Sequence, residues 1–276
     1  MNEIMRSYIQ LKEHYKVKGG ILTPYTIDCP ASDKTDWRRP AVIIVPGGAY
    51  EHVSKREGAP VACHFLARGF QAFVLEYLVA PDGVRYPEQL CELACAVDYI
   101  KRRADEYSIN RDEIFIVGFS AGGHLTASLS VDCTAVSRIF GEKLDCKATA
   151  VGLGYPVISA RLGHTRSHEN LLCGYTDVEK QALEERLNLD GAVSDKTLPT
   201  FIWTTAEDKS VPAINSISFA SALAEKGIKY ELHIYPEGDH GSSTCDLEVN
   251  EKAYPKNAQW IDNCARFFRL FTVEKY

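Results

Sequence analysis

The chain has 276 residues, 45% of them hydrophobic and 25% charged, with a net charge of −6. This is ordinary globular composition, and a chain of this length buries enough surface to fold without staples. Its charges are mixed along the sequence, which excludes a basic nucleic-acid groove. No apolar run reaches the 18 or so residues of a membrane helix.

The opening stretch, "MNEIMRSYIQLKEHYK", is polar and lacks the apolar core of a signal peptide, so a cytoplasmic protein is expected. "YKVKGGILTPYTID" (15–28) reads as a hairpin about Gly19-Gly20 that forms an antiparallel sheet edge. From residue 41 strands and helices alternate. "AVIIVP" (41–46) is a continuous apolar strand, followed by a helix over 57–69 that ends at Gly69 and a strand over 70–77. A long helix over 86–108 carries Leu90, Leu93, Ala94, Val97 and Ile100 at helical spacing, with Pro87 in its first turn. "IFIVGFS" (114–120) is a strand that runs directly into the helix "AGGHLTASLSVD" (121–132). Strands over 147–157, 200–206 and 230–236 and helices over 211–227 and 255–271 complete the pattern. The alternation predicts a single α/β domain over residues 1–276, with a mostly parallel sheet and helices on both faces. Residues 158–198 break the rhythm and read as an insertion over the sheet.

The nine cysteines are odd in number and scattered, and reduced thiols are expected. Cys91 and Cys95 share a helix face and read as core residues. No Cys-x-x-Cys or His-Glu-x-x-His pattern is present, so neither a metal nor a cofactor is expected.

The chemistry centres on Gly118-Phe119-Ser120-Ala121-Gly122. A serine hydroxyl is a poor nucleophile unless a base takes its proton and a carboxylate orients that base. It also needs amides aimed at the developing oxyanion. In open α/β sheets these groups belong at the carboxyl ends of strands. Ser120 lies there, at a turn where Gly118 and Gly122 permit close strand–helix approach. Asp208 follows the strand over 200–206 and His240 the strand over 230–236, and the order Ser, Asp, His is that of an α/β-hydrolase. Pro46-Gly47-Gly48-Ala49 follows the first parallel strand, so Gly48 and Ala49 are positioned to offer amides to an oxyanion together with Ala121. Each element also has a plainer role. Asp208 could simply cap the helix near Val211, Glu207 is a rival carboxylate, and Asp239 reads as solvated. His233 lies within a strand, and His124, one helical turn beyond Ser120, reads as a buried structural histidine. His164 and His168 could pair on a metal, but a loop packed over the site fits them better.

Six segments in order, "VPGGAY", "YPEQLCELACAVDYIKRRADEYSINRDEIFIVGFSAGGHL", "GYPVIS", "GHTRSHENLLCG", "PTFIWTTAEDKSVP" and "ELHIYPEGDHG", resemble the small α/β-hydrolases related to hormone-sensitive lipase. Within that group the chain is most similar to the acetyl esterases, often labelled xylan or sugar esterases, over roughly residues 20–270. The resemblance implies Ser120, Asp208 and His240 as a triad and amides near Gly48, Ala49 and Ala121 as the oxyanion hole. One departure is that many relatives carry His-Gly-Gly-Gly where this chain has Pro46-Gly47-Gly48-Ala49. The resemblance implies a cofactor-free serine esterase for a small-molecule, short-acyl ester, with acetyl on a sugar favoured; homo-oligomerisation stays open. The alternatives are a small peptidase of prolyl-oligopeptidase type, for whose gating domain this chain has no room, and a hydrolase-fold receptor that binds without turnover.

Overall fold

The computed structural model describes residues 8–28, 37–141 and 143–273. Its strands are β1 (Ile9–Gln10), β2 (Ile21–Tyr25), β3 (Arg39–Val45), β4 (Gln71–Glu76), β5 (Ile109–Phe119), β6 (Ala150–Gly154), β7 (Thr200–Thr205) and β8 (Tyr230–Tyr235). Its helices are α1 (Ala59–Ala67), α2 (Glu88–Arg102), α3 (Ser120–Val131), α4 (Cys133–Phe140), α5 (Arg166–Leu171), α6 (Asp177–Leu187), α7 (Ile214–Glu225) and α8 (Trp260–Arg269).

The strands form one sheet in the order β1-β2-β4-β3-β5-β6-β7-β8. From β4 to β8 every pairing is parallel, while β1–β2 and β2–β4 are antiparallel, so the expected antiparallel edge is present. Its turn differs from expectation. Gly19-Gly20 does not join two strands directly: Ile9 pairs with Leu22, and residues 11–20 loop between them through a 3-10 turn at Leu11–Glu13. The amide of Leu11 donates to Gly20 O at 2.9 Å, and Gly20 takes a φ of +84° to meet it. The wider loop lets Leu11 bury itself in the core instead of lying along an exposed ribbon.

β3, β6 and β7 are buried along their whole length because both faces of the sheet are covered there. Along β3, Ala41, Ile43 and Val45 belong to the core on the side of α2, α3 and α7, while Val42 and Ile44 belong to the core on the side of α1 and α8, as period-2 alternation demands. On the α8 face Trp260 stacks on Trp203 at 5.1 Å, and Phe268 on Phe115 at 4.5 Å. Burying such rings contributes strongly to the core. α2 ends at Arg102, short of the expected 108, because Ser108 turns with φ +52° and β5 starts at Ile109. The short helix α4 had no counterpart in the sequence reading. Residues 158–198 hold α5, α6 and two 3-10 turns, and α5 lies beside the loop after β3. Of the cysteines, Cys29 lies outside the described residues and the other eight are free. Among the described residues, no helix is long and apolar enough to cross a membrane.

Candidate active site

β5 lies in the middle of the sheet, and Ser120 directly follows it as the first residue of α3. The turn is sharp, and Ser120 itself takes φ +51°. Such a turn requires the glycines around it. A Cβ on Gly118 would meet Thr126 Oγ1 at 2.2 Å and Gly122 O at 2.4 Å. A Cβ on Gly122 would meet Val45 O at 2.2 Å and Pro46 O at 2.3 Å. The bare backbone therefore lets the end of β3 press against the start of α3, bringing the loop at 46–50 beside Ser120. In that loop Gly48 adopts φ +123°, where a Cβ would lie 2.0 Å from His52 O.

Three sequence-predicted side chains converge. The hydroxyl of Ser120 is 2.8 Å from His240 Nε2, and His240 Nδ1 is 2.7 Å from Asp208 Oδ2. A proton on Nδ1, facing the carboxylate, leaves Nε2 free to accept from the hydroxyl. Ser120 and Asp208 are 6% and 5% exposed, so water competes weakly for these bonds. The second oxygen of Asp208 accepts the amides of Ser210 and Val211, each at 2.9 Å. Asp208 does not cap the following helix, which begins at Ile214 with Ala213 as its N-cap; its two amide bonds fold the loop at 208–211 instead and coexist with its bond to His240. Glu207 turns away and accepts from Gly238 N at 3.4 Å. Asp239 is exposed and accepts from the Tyr254 hydroxyl.

Gly48 and Ala49 line the cleft above Ser120, while Ala121 lies buried directly behind it in the first turn of α3. The amides of a helix's first turn have no intrahelical acceptor, and they sit at the positive end of the helix dipole. The cleft holds about 310 Å³ and is also lined by His52, Ser54, Arg56, Glu57, His164 and Arg166. Arg166 ion-pairs with Glu51 across it, and Asn170 of α5 donates to Ala49 O at 2.8 Å. From residues 158–198, His164 and Arg166 thus line the cleft and Asn170 braces the loop after β3.

The other histidines fall into place. His124 is fully buried: Tyr50 donates to its Nδ1 at 2.9 Å, and its Nε2 donates to Leu187 O at 3.0 Å. Burial, helped by neighbouring His168, lowers its pKa to about 3, so it stays neutral and structural. His233 bonds Glu231 at 2.6 Å. His164 Nδ1 donates to Ser210 O at 2.9 Å and its Nε2 accepts from Ser167, while His168 Nε2 donates to Leu187 O, so the pair is not turned toward a shared ion. Burial also holds His164 below its ordinary value. Among the described residues, no group of three His, Cys, Asp or Glu side chains is arranged to hold a metal.

The sequence reading missed Glu57 and Tyr155. Glu57 is 2% exposed, and its carboxylate accepts from Gly47 N at 2.8 Å and from the Tyr155 hydroxyl at 2.7 Å. "GYPV" after β6 carried a signal for Tyr155, an aromatic at a strand's carboxyl end. "KREG" carried none for Glu57, which a linear reading treats as a solvated charge. Ala49, Tyr50, Ser120, Tyr155 and Ser243 all take positive φ around the cleft, and such strain concentrates at functional sites.

Comparison with known proteins agrees with this architecture. The BD-FAE family model matches residues 27–223. Endo-1,4-beta-xylanase B of Butyrivibrio fibrisolvens is 36% identical over 219 residues, 77% of this chain and 34% of its own. Acetylxylan esterase of Xylanibacter ruminicola is 31% identical over 208 residues, 73% of this chain and 40% of its own. The chain thus spans well under half the length of these two relatives. The crystal structure of an acetyl ester-xyloside bifunctional hydrolase from Caldicellulosiruptor lactoaceticus superposes with a TM-score of 0.79 at 31% identity, covering 96% of each chain. The sheet order, the helices on both faces and these similarities make the fold that of an α/β-hydrolase. The chain belongs to the BD-FAE family.

Proposed function

We propose that this protein is a serine carboxylic-ester hydrolase acting on short acyl esters, with acetyl groups on sugars as the substrate class. The observation that carries this reading is the unbroken hydrogen-bonded series from Ser120 Oγ through His240 to Asp208, at 2.8 and 2.7 Å. The names of the similar xylan and acetyl ester enzymes support the sugar-ester class.

In this reading His240 Nε2 takes the Ser120 proton as Oγ attacks the ester carbonyl. The carbonyl oxygen becomes an oxyanion facing the amides of Gly48, Ala49 and Ala121, each worth about 3–4 kcal/mol of barrier. Asp208 stabilises the imidazolium while its own two amide bonds hold it still. The C–O bond then breaks, and His240 protonates the departing alcohol. Water, deprotonated by His240, cleaves the acyl-enzyme and regenerates Ser120. The modest cleft, with the charged side chains of Glu51, Arg56 and Arg166 in its wall, suits a small acyl group and a hydroxylated alcohol better than a long chain. The chain's own residues supply every proton transfer. The eight free thiols fit a reducing, cytoplasmic setting.

The test compares hydrolysis of p-nitrophenyl acetate, butyrate and octanoate by wild type and Ser120→Ala, followed by acetate release from acetylated xylo-oligosaccharides. Acetate turnover that Ser120→Ala abolishes, with octanoate poor, is expected. Equal slow rates in both proteins would favour the ligand-receptor reading, and cleavage of a proline-containing peptide amide the peptidase.

A further inference from the structure

We infer that Glu57 and Tyr155 act as a pair of positioning residues that keep the amide loop at 47–49 and the His240 loop in register about Ser120; the inference rests on the ester-hydrolase reading. The side-chain hydrogen bonds of both residues go to groups other than Ser120, Asp208 and His240. Glu57 begins the link: one carboxylate oxygen accepts Gly47 N–H at 2.8 Å, and the other accepts the Tyr155 hydroxyl at 2.7 Å. The Tyr155 oxygen in turn accepts the amide of Ser243 at 3.0 Å, three residues beyond His240. Ser243 Oγ closes the ring by donating to Arg56 O at 2.7 Å, next to Glu57. The Tyr155 ring also packs edge-on against the His240 ring, 5.0 Å between centroids at 67°.

Gly47 lies between Glu57 and Ser120: a Cβ there would sit 2.8 Å from Ser120 Cβ and 3.0 Å from Glu57 Oε2. The oxyanion loop is thus pinned from below by a buried carboxylate. A buried acid costs free energy unless its oxygens are bonded, so a well-bonded one at this spot reflects a demand on geometry. Burial and Glu57 push the Tyr155 phenol well above its ordinary value, which keeps the hydroxyl a donor across the working pH range. Tyr155 and Ser243 hold φ values of +35° and +48°, and Ala49 +54°. Strained backbone of this kind persists only where surrounding bonds over-determine it, and the three hydrogen bonds of this ring supply that at Tyr155 and Ser243. Within the reaction, the ring ties the residues that receive the oxyanion to those that carry the base, so one cannot drift from the other as charge develops.

The experiment measures kcat and KM for p-nitrophenyl acetate, fluorophosphonate labelling of Ser120 and thermal melting. The proteins compared are wild type, Ser120→Ala, Glu57→Ala, Glu57→Gln, Tyr155→Phe and the Glu57→Ala/Tyr155→Phe double variant. Misplacement by about 1 Å costs up to about 100-fold. Glu57→Ala and Tyr155→Phe should therefore lower kcat and the labelling rate by about 10- to 100-fold with KM little changed. Glu57→Gln should recover part of the loss, since its amide oxygen still accepts from Gly47. The double variant should be no slower than the worse single one, because both break the same link. A lowered melting temperature with wild-type kcat, or additive losses, overturns the inference. If Glu57→Ala does not fold, Tyr155→Phe and Glu57→Gln decide by the same criteria. Turnover that depends on Ser120 but not on these variants refutes this inference alone, whereas wild-type turnover that Ser120→Ala leaves intact refutes the ester-hydrolase reading itself.

Discussion

Replacing Asp208 by Asn separates its two roles in a single substitution. Asp208 Oδ1 accepts two amides at 2.9 Å and Oδ2 accepts from His240 Nδ1 at 2.7 Å. An asparagine has one acceptor oxygen and one NH₂ group. Keeping the two amide bonds uses the oxygen, which turns the NH₂ toward His240. Nδ1 must then accept, the ring proton moves to Nε2, and His240 cannot take the Ser120 proton. The wrong tautomer costs about 10⁴-fold in kcat, close to 5 kcal/mol of barrier. Stability should barely change, since both loop amide bonds survive. Asp208→Ala should match the loss of activity and also leave two amides without their acceptor, costing about 1–3 kcal/mol for each one shut off from water. The assay is kcat/KM for p-nitrophenyl acetate beside a urea melt of each variant. Asp208→Asn activity within tenfold of wild type would refute the assigned role of the His240–Asp208 bond.

Gly122→Ala puts a Cβ 2.2 Å from Val45 O, where real contacts stay beyond 3.0 Å, so the β3 loop must retreat by about 0.8 Å. We expect destabilisation of about 1–3 kcal/mol and a fall in kcat approaching 100-fold, read by a melt and by esterase kinetics; wild-type kcat would show that the loop's closeness to α3 is unimportant. Glu92, in α2, is raised from 4.5 to about 8, first by burial and further by Glu88 and Asp82, while the amide of Leu78 opposes the shift. The folded state therefore holds a proton that the unfolded chain has released between these two values, and stability falls as pH rises through that window. Full ionisation above pH 8 carries a cost of about 5 kcal/mol. Glu92→Gln still offers an oxygen to Leu78 and should flatten the decline between pH 5 and 8 in urea titrations, and parallel pH profiles for the two proteins would contradict this.

Elements whose cause is local were legible in the residues alone. Apolar runs of strand length and helical periodicity located β3–β7, α2 and α3, because burial within the sheet leaves its mark in each run. The glycines flanking Ser120 were legible for the same reason, since the turn needs them wherever the chain goes next. Asp208 and His240 could be chosen because strand ends share one edge of a parallel sheet. The helix α4 and the loop over residues 11–20 were not legible: short elements take their form from the core they cover, as Leu11 shows. The cleft wall depended most on tertiary structure. Glu57 and Tyr155 stand 98 positions apart, and Ala49 and Asn170 121 apart. A surface-like acid in "KREG" became a buried acceptor only because the β3 loop, the end of β6 and the His240 loop meet above Ser120. Side-chain chemistry follows from the environment that distant segments build, and that environment exists only once the sheet has assembled.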